Sequence, residues 1–222
     1  MINNTILEKI AVGEKALGIQ MSHPSEELVE LAARMGLDYV NFDGQHSPIT
    51  PEVAERMCRV AESFGLATTM RIPDDRESTI LSYLDRGIRQ ITIPDIQTKK
   101  QAEDIVKHAY FGPKGLRSST SIRMGMNLRE GGRKQLFDEI NANTIVVPQI
   151  ESVTALENLD EILTVDGIEY FAGGPEDMAQ SMGLPGEHTH PKVLEAFDVA
   201  KKQIYAAGKK WFGDHTDEVH AV

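Results

Sequence analysis

The chain has 222 residues, a formal net charge of −11 and a single cysteine, Cys58. The excess of acidic residues argues against nucleic acid or an anionic membrane as a partner. One cysteine excludes a disulfide framework and favours a reducing compartment. No basic and apolar leader opens the sequence, and no apolar run approaches the ~20 residues of a membrane helix, so we expect a cytoplasmic protein.

Short apolar runs alternate with longer amphipathic stretches along the chain. Several runs are almost continuously apolar, as is typical of strands that helices cover on both faces. The predicted strands are residues 16–21, 38–43, 67–71, 89–93, 144–150, 168–172 and 209–213. The predicted helices are residues 25–35, 50–64, 76–86, 98–109, 152–163 and 191–207. Cys58 falls inside a helical pattern and is interpreted as a packing residue.

The boundaries of these elements carry the expected capping residues. Ser25, Thr50 and Ser152 are typical N-cap residues at the helix starts. Glycine follows four helices, at Gly36, Gly65, Gly87 and Gly208. Because the helix–glycine–strand order recurs four times, the sequence predicts βαβ units and a parallel sheet.

Seven strand–helix units predict a TIM barrel rather than a doubly wound sheet, because no dinucleotide or P-loop glycine motif is present. We expect a single α/β domain over residues 1–222, a (β/α)8 barrel that is C-terminally short. Its eighth β/α unit is expected to be missing, since the seventh strand lies just before Val222. The alternatives are an eighth strand without a clear apolar pattern and an open barrel. The polar segment 111–127 is long enough to be functional or mobile.

Polar residues follow several predicted strands, and in a barrel these positions converge on one mouth. Asp43 and His46 follow strand two, and Arg71 ends strand three. Glu151 follows strand five and Asp177 follows strand six. Since neighbouring strands lie about 4.8 Å apart, these two carboxylates could share Mg²⁺ or Mn²⁺. The alternative is that both only stabilise helix starts.

The other polar residues also admit structural interpretations. Arg71 could hold a substrate oxygen or pair with an acid. His46 by itself is more typical of an ordinary loop histidine than of a base. Asp85 could reach it only through the fold. His188 and His190 lie in a Gly/Pro-rich loop and are interpreted as solvated rather than as a metal pair.

The segment FDGQHSP resembles the F/I-D-G-E-H-x-P signature of the HpcH/HpaI aldolases, metal-dependent pyruvate aldolases of the citrate-lyase-like superfamily. The resemblance continues in order and spacing over nearly the whole chain. Its further motifs are MRIP (70–73), LDRGIRQITIP (84–94), GPKGLRS (112–118), PQIES (148–152) and GPEDMAQSMG (174–183).

The resemblance implies a class II pyruvate aldolase that forms or cleaves 4-hydroxy-2-oxo acids from pyruvate and an aldehyde. It implies a divalent cation, Mg²⁺, Mn²⁺ or Co²⁺, held by Glu151 and Asp177. His46 would be the catalytic histidine and Asp85 its acidic partner. Arg71 would hold the keto oxygen and stabilise the enolate.

The remaining implied roles concern substrate binding and assembly. Gln149 would line the pocket together with Gly174. The backbone N–H groups of Glu176 and Asp177 would receive the pyruvate carboxylate. The implied partners are small molecules, with no nucleic acid and no membrane. A homo-oligomer is also implied, a hexamer if the protein is longer.

Two residues depart from the family pattern, and two other functions stay open. Gln45 stands where glutamate is usual, and Glu176 stands where a small residue is usual. One alternative is an acyl-CoA thioester lyase of the same superfamily. Lys114 and Arg117 are the basic residues that could bind the phosphates of CoA in such an enzyme. The other is a barrel that binds a 2-oxo acid without catalysis. The aldehyde is not encoded in a short motif.

Overall fold

Eight parallel strands form one sheet in the computed structural model, which describes residues 4–120, 123 and 132–221. They are β1 (Ala16–Met21), β2 (Tyr39–Asp43), β3 (Ala67–Arg71), β4 (Gln90–Ile93), β5 (Ile145–Ile150), β6 (Tyr170–Gly173), β7 (Lys210–Trp211) and β8 (Thr216–Ala221). Their order is β7-β6-β5-β4-β3-β2-β1-β8. The predicted α/β, TIM-barrel-like architecture is confirmed.

Helices follow most of the strands and pack on the outside of the sheet. They are α1 (Thr5–Ala11), α2 (Glu26–Arg34), α3 (Pro51–Phe64), α4 (Glu77–Leu84), α5 (Lys99–Ala109), α6 (Gly132–Ala142), α7 (Val153–Glu157), α8 (Leu159–Leu163), α9 (Pro175–Ser181) and α10 (Pro191–Ala206). Ser25, Thr50 and Ser152 accept backbone N–H groups as N-caps, as predicted. No helix within these described ranges is long and apolar enough to cross a bilayer.

The prediction that the eighth strand is missing is wrong. β8 pairs with β1 in parallel, from Ala16 opposite Thr216 to Met21 opposite Ala221. Inside the barrel Glu218 accepts hydrogen bonds from Tyr39 (3.0 Å) and Asn41 (2.9 Å). The segment TDEVHA mixes charged and apolar residues, so it lacks the apolar run that marked the other strands.

The connection between β7 and β8 differs from the other strand connections. A 3₁₀ helix, Phe212–Asp214, joins them, and no pairing between β7 and β8 is found among the strands described. The sheet therefore curls like a barrel but is open along this seam.

The end of the barrel opposite the carboxyl ends of the strands is closed by α1. Ile6 is fully buried and packs with Tyr39 and Ala67. Thr5 accepts the N–H of Ala67 (3.1 Å), and Asn4 donates to the carbonyl of Asn143 (3.0 Å). A site is therefore expected at the other end, where the strands finish.

Three helices of the structure were not predicted from the sequence. One predicted segment also lies partly outside the described residues. α1, α6 and α9 were not predicted; α6 buries only Leu136 and Ile140, so its apolar pattern is weak. Of the segment 111–127, residues 121–122 and 124–127 lie outside the described residues. Cys58 is buried on α3, as predicted, and burial raises the pKa of its thiol to about 12.

Candidate active site

Asp43 and Arg71 form a two-point ion pair at the ends of neighbouring strands. They are opposite each other in the register of β2 and β3. Nη2 of Arg71 lies 2.5 Å from Oδ2 of Asp43, and Nε lies 3.1 Å from Oδ1. Burial alone would raise the pKa of Asp43, but the hydrogen bonds and charge of Arg71 outweigh it and lower that pKa. Both side chains are thereby fixed in the mouth in their charged forms.

The same carboxylate also shapes the turn that carries His46. Oδ1 of Asp43 accepts the backbone N–H groups of Gln45 (2.9 Å) and His46 (3.2 Å). Gly44 is required here, because a Cβ at this position would lie 2.5 Å from Met70 Cε and 3.0 Å from the carbonyl oxygen of Arg71. The turn therefore packs on β3 and presents the exposed His46 at the mouth.

The structure does not bring Asp85 to His46. Asp85 is the C-cap of α4, a helix that starts at the mouth and runs back towards the other end of the barrel. Its Oδ1 lies 2.7 Å from Nη2 of Arg117, whose side chain is 2% exposed. The guanidinium of Arg117 also lies 4.8 Å from the ring centroid of Phe111. Within the chain, Asp85 thus holds a buried arginine, and its role beside His46 stays a prediction.

Glu151 is a buried acid at the end of β5, with 6% of its surface exposed. Burial raises its pKa to about 7. The charges of Asp177 and Asp95 act in the same direction, whereas the N–H of Asp95 (2.8 Å) and the charge of Arg71 oppose it. The fold therefore brings both predicted metal carboxylates within electrostatic reach of each other.

Gly174 lets Glu151 lie against the start of α9, the helix that carries Asp177 in its first turn. A Cβ on Gly174 would lie 2.1 Å from Oε2 of Glu151. On the same strand end, Nε2 of Gln149 donates to the carbonyl of Gly173 (3.3 Å), while its Oε1 is buried and has no hydrogen-bond partner among the described residues.

The donor set at this end of the sheet fits a hard divalent cation. No group of three or more His, Cys, Asp or Glu side chains in the described part of the chain is arranged to hold a metal. The pair Glu151 and Asp177 would therefore need water or substrate oxygens to complete its coordination, as Mg²⁺ commonly does. A carboxyl of raised pKa and the unpartnered oxygen of Gln149 are both groups that a nearby cation would stabilise.

The side chain of Glu176 is held by the loop before α10. Its Oε1 lies 2.6 Å from Nδ1 of His188. His190 instead accepts the N–H of Lys192 (3.2 Å) as the N-cap of α10. The two histidines therefore contact different partners within this loop.

Asp95 is a neighbour of the site that the sequence analysis missed. It follows β4, its N–H donates to Glu151, and its backbone φ is +52°. The one signal in the sequence was an aspartate directly after the strand end ITIP, the same position that drew attention to Asp43.

Two cavities lie away from this mouth. One of about 190 Å³ is lined by Tyr110, Lys114 and Glu169 among others, and one of about 440 Å³ by Lys107, Lys114 and Asp166 among others. Both lie between the end of α5 and the segment before β6, on the helical layer. Neither is lined by a residue predicted for the aldolase site.

Comparisons with known proteins agree on one family. The model of the family HpcH/HpaI aldolase/citrate lyase matches residues 18–221. The 2-keto-3-deoxy-L-rhamnonate aldolase of Escherichia coli (strain K12) is 30% identical over 209 residues, which cover 94% of this chain and 78% of that protein.

Solved structures give the same result. The HpcH/HpaI aldolase from Desulfitobacterium hafniense DCB-2 superposes with a TM-score of 0.85 at 26% identity, over 92% of this chain and 79% of that one. The citrate synthase SbnG superposes with a TM-score of 0.83 at 25% identity, over 95% and 81% of the two chains.

Proposed function

The chain belongs to the HpcH/HpaI aldolase/citrate lyase family, and from that premise we propose that it is a divalent-metal-dependent pyruvate aldolase. Its relatives support an aldolase or lyase function. The observation that carries the finer proposal is the mouth itself, where buried Glu151 lies within the field of Asp177 and Arg71 is fixed by Asp43. The reaction would join the enolate of pyruvate to an aldehyde, giving a 4-hydroxy-2-oxo acid, or run in reverse.

Glu151 and Asp177 would hold the cation, Mg²⁺, Mn²⁺ or Co²⁺. When bound, it supplies Lewis acidity towards the keto group of pyruvate. Because the pKa of Glu151 is about 7, a fraction of the protein molecules carries a proton on this carboxyl near neutral pH. Binding of the cation would release that proton. The buried Oε1 of Gln149, which has no hydrogen-bond partner among the described residues, would face the bound substrate in the same pocket.

Arg71 would stabilise the enolate oxygen. Its Nε and Nη2 are occupied by Asp43, which fixes the plane of the guanidinium. Its Nη1 makes no hydrogen bond to a described residue, so this group can donate to the keto oxygen. A donor that is already oriented before the reaction stabilises developing negative charge at little reorganisation cost.

His46 would move the proton. Its ring is exposed at the mouth on a turn that Asp43 fixes from behind. There it would take a methyl proton of pyruvate, directly or through water, and return one during cleavage. The N–H groups at Glu176 and Asp177, in the first turn of α9, would receive the pyruvate carboxylate.

The alternative of an acyl-CoA thioester lyase has one of its two basic candidates buried in the fold. Arg117 is buried in its pair with Asp85. Nζ of Lys114 lies 3.4 Å from the ring centroid of Tyr110, and burial lowers the pKa of this lysine. The burial of Arg117 leaves the exposed Lys114 as the one basic candidate for the phosphates of CoA, which favours the aldolase.

The proposal is tested by following the methyl protons of pyruvate by NMR in D₂O. We expect exchange with Mg²⁺ or Mn²⁺, none with EDTA, and none in Glu151→Gln. Glu195→Gln, an exposed acid on α10, is the matched control and should exchange normally. A folded, Mn²⁺-loaded protein that exchanges no protons would refute the pyruvate enolate chemistry and leave the thioester lyase or a barrel that only binds.

Cleavage assays then identify the aldehyde. The named activity of the E. coli relative makes 2-keto-3-deoxy-L-rhamnonate the first substrate to try. Pyruvate release, followed with a coupled dehydrogenase, measures cleavage of this and other 4-hydroxy-2-oxo acids. Offering malyl-CoA or citramalyl-CoA in parallel separates an aldolase from a thioester lyase, because only the lyase acts on a CoA thioester.

A further inference from the structure

Asp95 has an unusual backbone for an ordinary residue. Its φ of +52° lies in the left-handed region, and no other non-glycine residue in the described part of the chain has a positive φ. A Cβ disfavours this conformation, although Asp and Asn tolerate it better than other residues. Such conformations persist where the surroundings hold them, often at functional sites.

The strand side of the Asp95 turn is tied to the two site residues on β5. The N–H of Asp95 donates to Oε1 of Glu151 at 2.8 Å. The next N–H, that of Ile96, donates to the carbonyl of Gln149 at 3.3 Å. Two consecutive N–H groups of the turn therefore donate hydrogen bonds to residues at the end of β5.

The helix side of the turn is held just as firmly. Oε1 of Gln101 accepts the N–H of Gln97 (3.0 Å), and Asn158 donates to the carbonyl of Gln97 (2.8 Å). Nε2 of Gln97 lies 2.6 Å from Oδ1 of Asp95. With both sides clamped, the turn cannot relax its left-handed residue without losing several hydrogen bonds.

The orientation of Glu151 follows from these contacts. Oε1 is held by the N–H of Asp95, while Oε2 lies against Gly174, directly before the helix that carries Asp177. We propose that Asp95 is a positioning residue of the cation site, whose left-handed backbone turns Oε2 of Glu151 towards Asp177. This inference rests on the proposed function for its purpose, although the geometry can be tested without it.

Substitutions at position 95 separate the backbone from the side chain. Asp95→Asn keeps the tolerance for positive φ and an acceptor for Gln97. Asp95→Gly keeps the conformation alone. Asp95→Val forces a β-branched residue into the left-handed region, and Asp95→Ala does so more mildly if the valine variant fails to fold. Asp166→Val is the matched control, since it is exposed in a turn without a positive φ.

The first measurement is Mn²⁺ binding by electron paramagnetic resonance on the full chain. We expect Asp95→Asn and Asp95→Gly to bind within about threefold of the unsubstituted protein. Asp95→Val should bind about five- to thirtyfold more weakly, the factor that corresponds to the cost of a left-handed residue. The control should bind normally. Equal binding by the valine variant, or a glycine variant as weak as the valine one, would overturn the proposal.

The second measurement needs no metal. Amide hydrogen exchange at position 95 should be slow in the protein and in its Asn and Gly variants, and faster in the Val or Ala variant and in Glu151→Ala. Fast exchange at Asp95 in the unsubstituted protein would overturn the inference. Failure of the proposed function has a different signature, the absence of Mn²⁺ binding or of pyruvate proton exchange in the unsubstituted protein, and the amide result then decides the inference alone.

Discussion

Replacing Gly174 with alanine tests whether Glu151 must lie against the start of α9. The new Cβ would lie 2.1 Å from Oε2 of Glu151, far inside van der Waals contact. The backbone at Gly174 is extended, with φ −125° and ψ 98°, so alanine adds no conformational strain. The clash alone must therefore displace the carboxylate, by about 1 Å or more if ordinary contact is to be restored.

The displacement has two measurable costs. Overpacking of this kind costs about 1–3 kcal/mol of stability, which lowers the Tm of a chain of this size by roughly 2–12 °C. It also stretches the 2.8 Å hydrogen bond from Asp95 to Glu151. Because a shift of about 1 Å in a catalytic geometry can cost 100-fold in rate, we expect pyruvate proton exchange to fall by about that factor.

The assay combines Mn²⁺ affinity, pyruvate proton exchange and thermal unfolding of Gly174→Ala. Gly213→Ala is the control, because a Cβ there meets nothing closer than 3.5 Å and its φ is not positive. The control should match the unsubstituted protein in all three measurements. If Gly174→Ala also binds Mn²⁺ and exchanges protons normally, Glu151 does not use this position and the proposed site is wrong.

Three further predictions follow from the charges. Arg71→Lys keeps a positive partner for Asp43 but loses the planar donors, so pyruvate exchange should fall by about 100-fold or more in a folded protein, and an unchanged rate would contradict the role of Arg71. In the metal-free protein, the pKa of Glu151 is raised from 4.5 to about 7, so the fold binds its proton more tightly than the unfolded chain does. Stability that is present below pH about 4.5 should be lost as pH rises through 7, by roughly 3 kcal/mol, and a Tm–pH profile identical in Glu151→Gln would refute this. Asp85→Ala should cost about 1–3 kcal/mol in urea unfolding, because buried Arg117 loses its acceptor. The pH–rate profile of that variant should not move, and a shifted profile would favour the pairing of Asp85 with His46 instead.

The fold was predictable where apolar runs met clear boundaries. The strands 16–21 and 67–71 match the structure at both ends, because Gly13 and Gly65 end the preceding helices just before them. β8 was not predicted because its inward residues are polar. One of them, Glu218, accepts hydrogen bonds from Tyr39 and Asn41. Alternation of this kind is weak in a short segment, and a hydrogen bond that spans 179 residues leaves no local pattern.

The site was predictable to the extent that barrel topology determines it. Placing residues after strands was enough to bring Arg71 to Asp43 and Glu151 to Asp177, because parallel strands end on one side. The contact of Asp85 with Arg117 could not be predicted in this way, since Asp85 ends a helix and Arg117 lies 32 residues further along the chain. Asp95 could not be assigned because a positive φ at a non-glycine residue depends on contacts made by the fold.

The two halves of the mouth depend on each other electrostatically. On β2 and β3 the pair of Asp43 and Arg71 is balanced and fixed, whereas on β5 and β6 the acids Glu151 and Asp177 have no cationic partner of their own at hydrogen-bonding distance among the described residues. The charge of Arg71 nevertheless lowers the pKa of Glu151. An arginine that stabilises the enolate would therefore also help keep the cation-binding acid deprotonated. It follows that a neutral replacement at Arg71 should raise the pKa of Glu151 in the metal-free protein as well as slow the exchange of pyruvate protons.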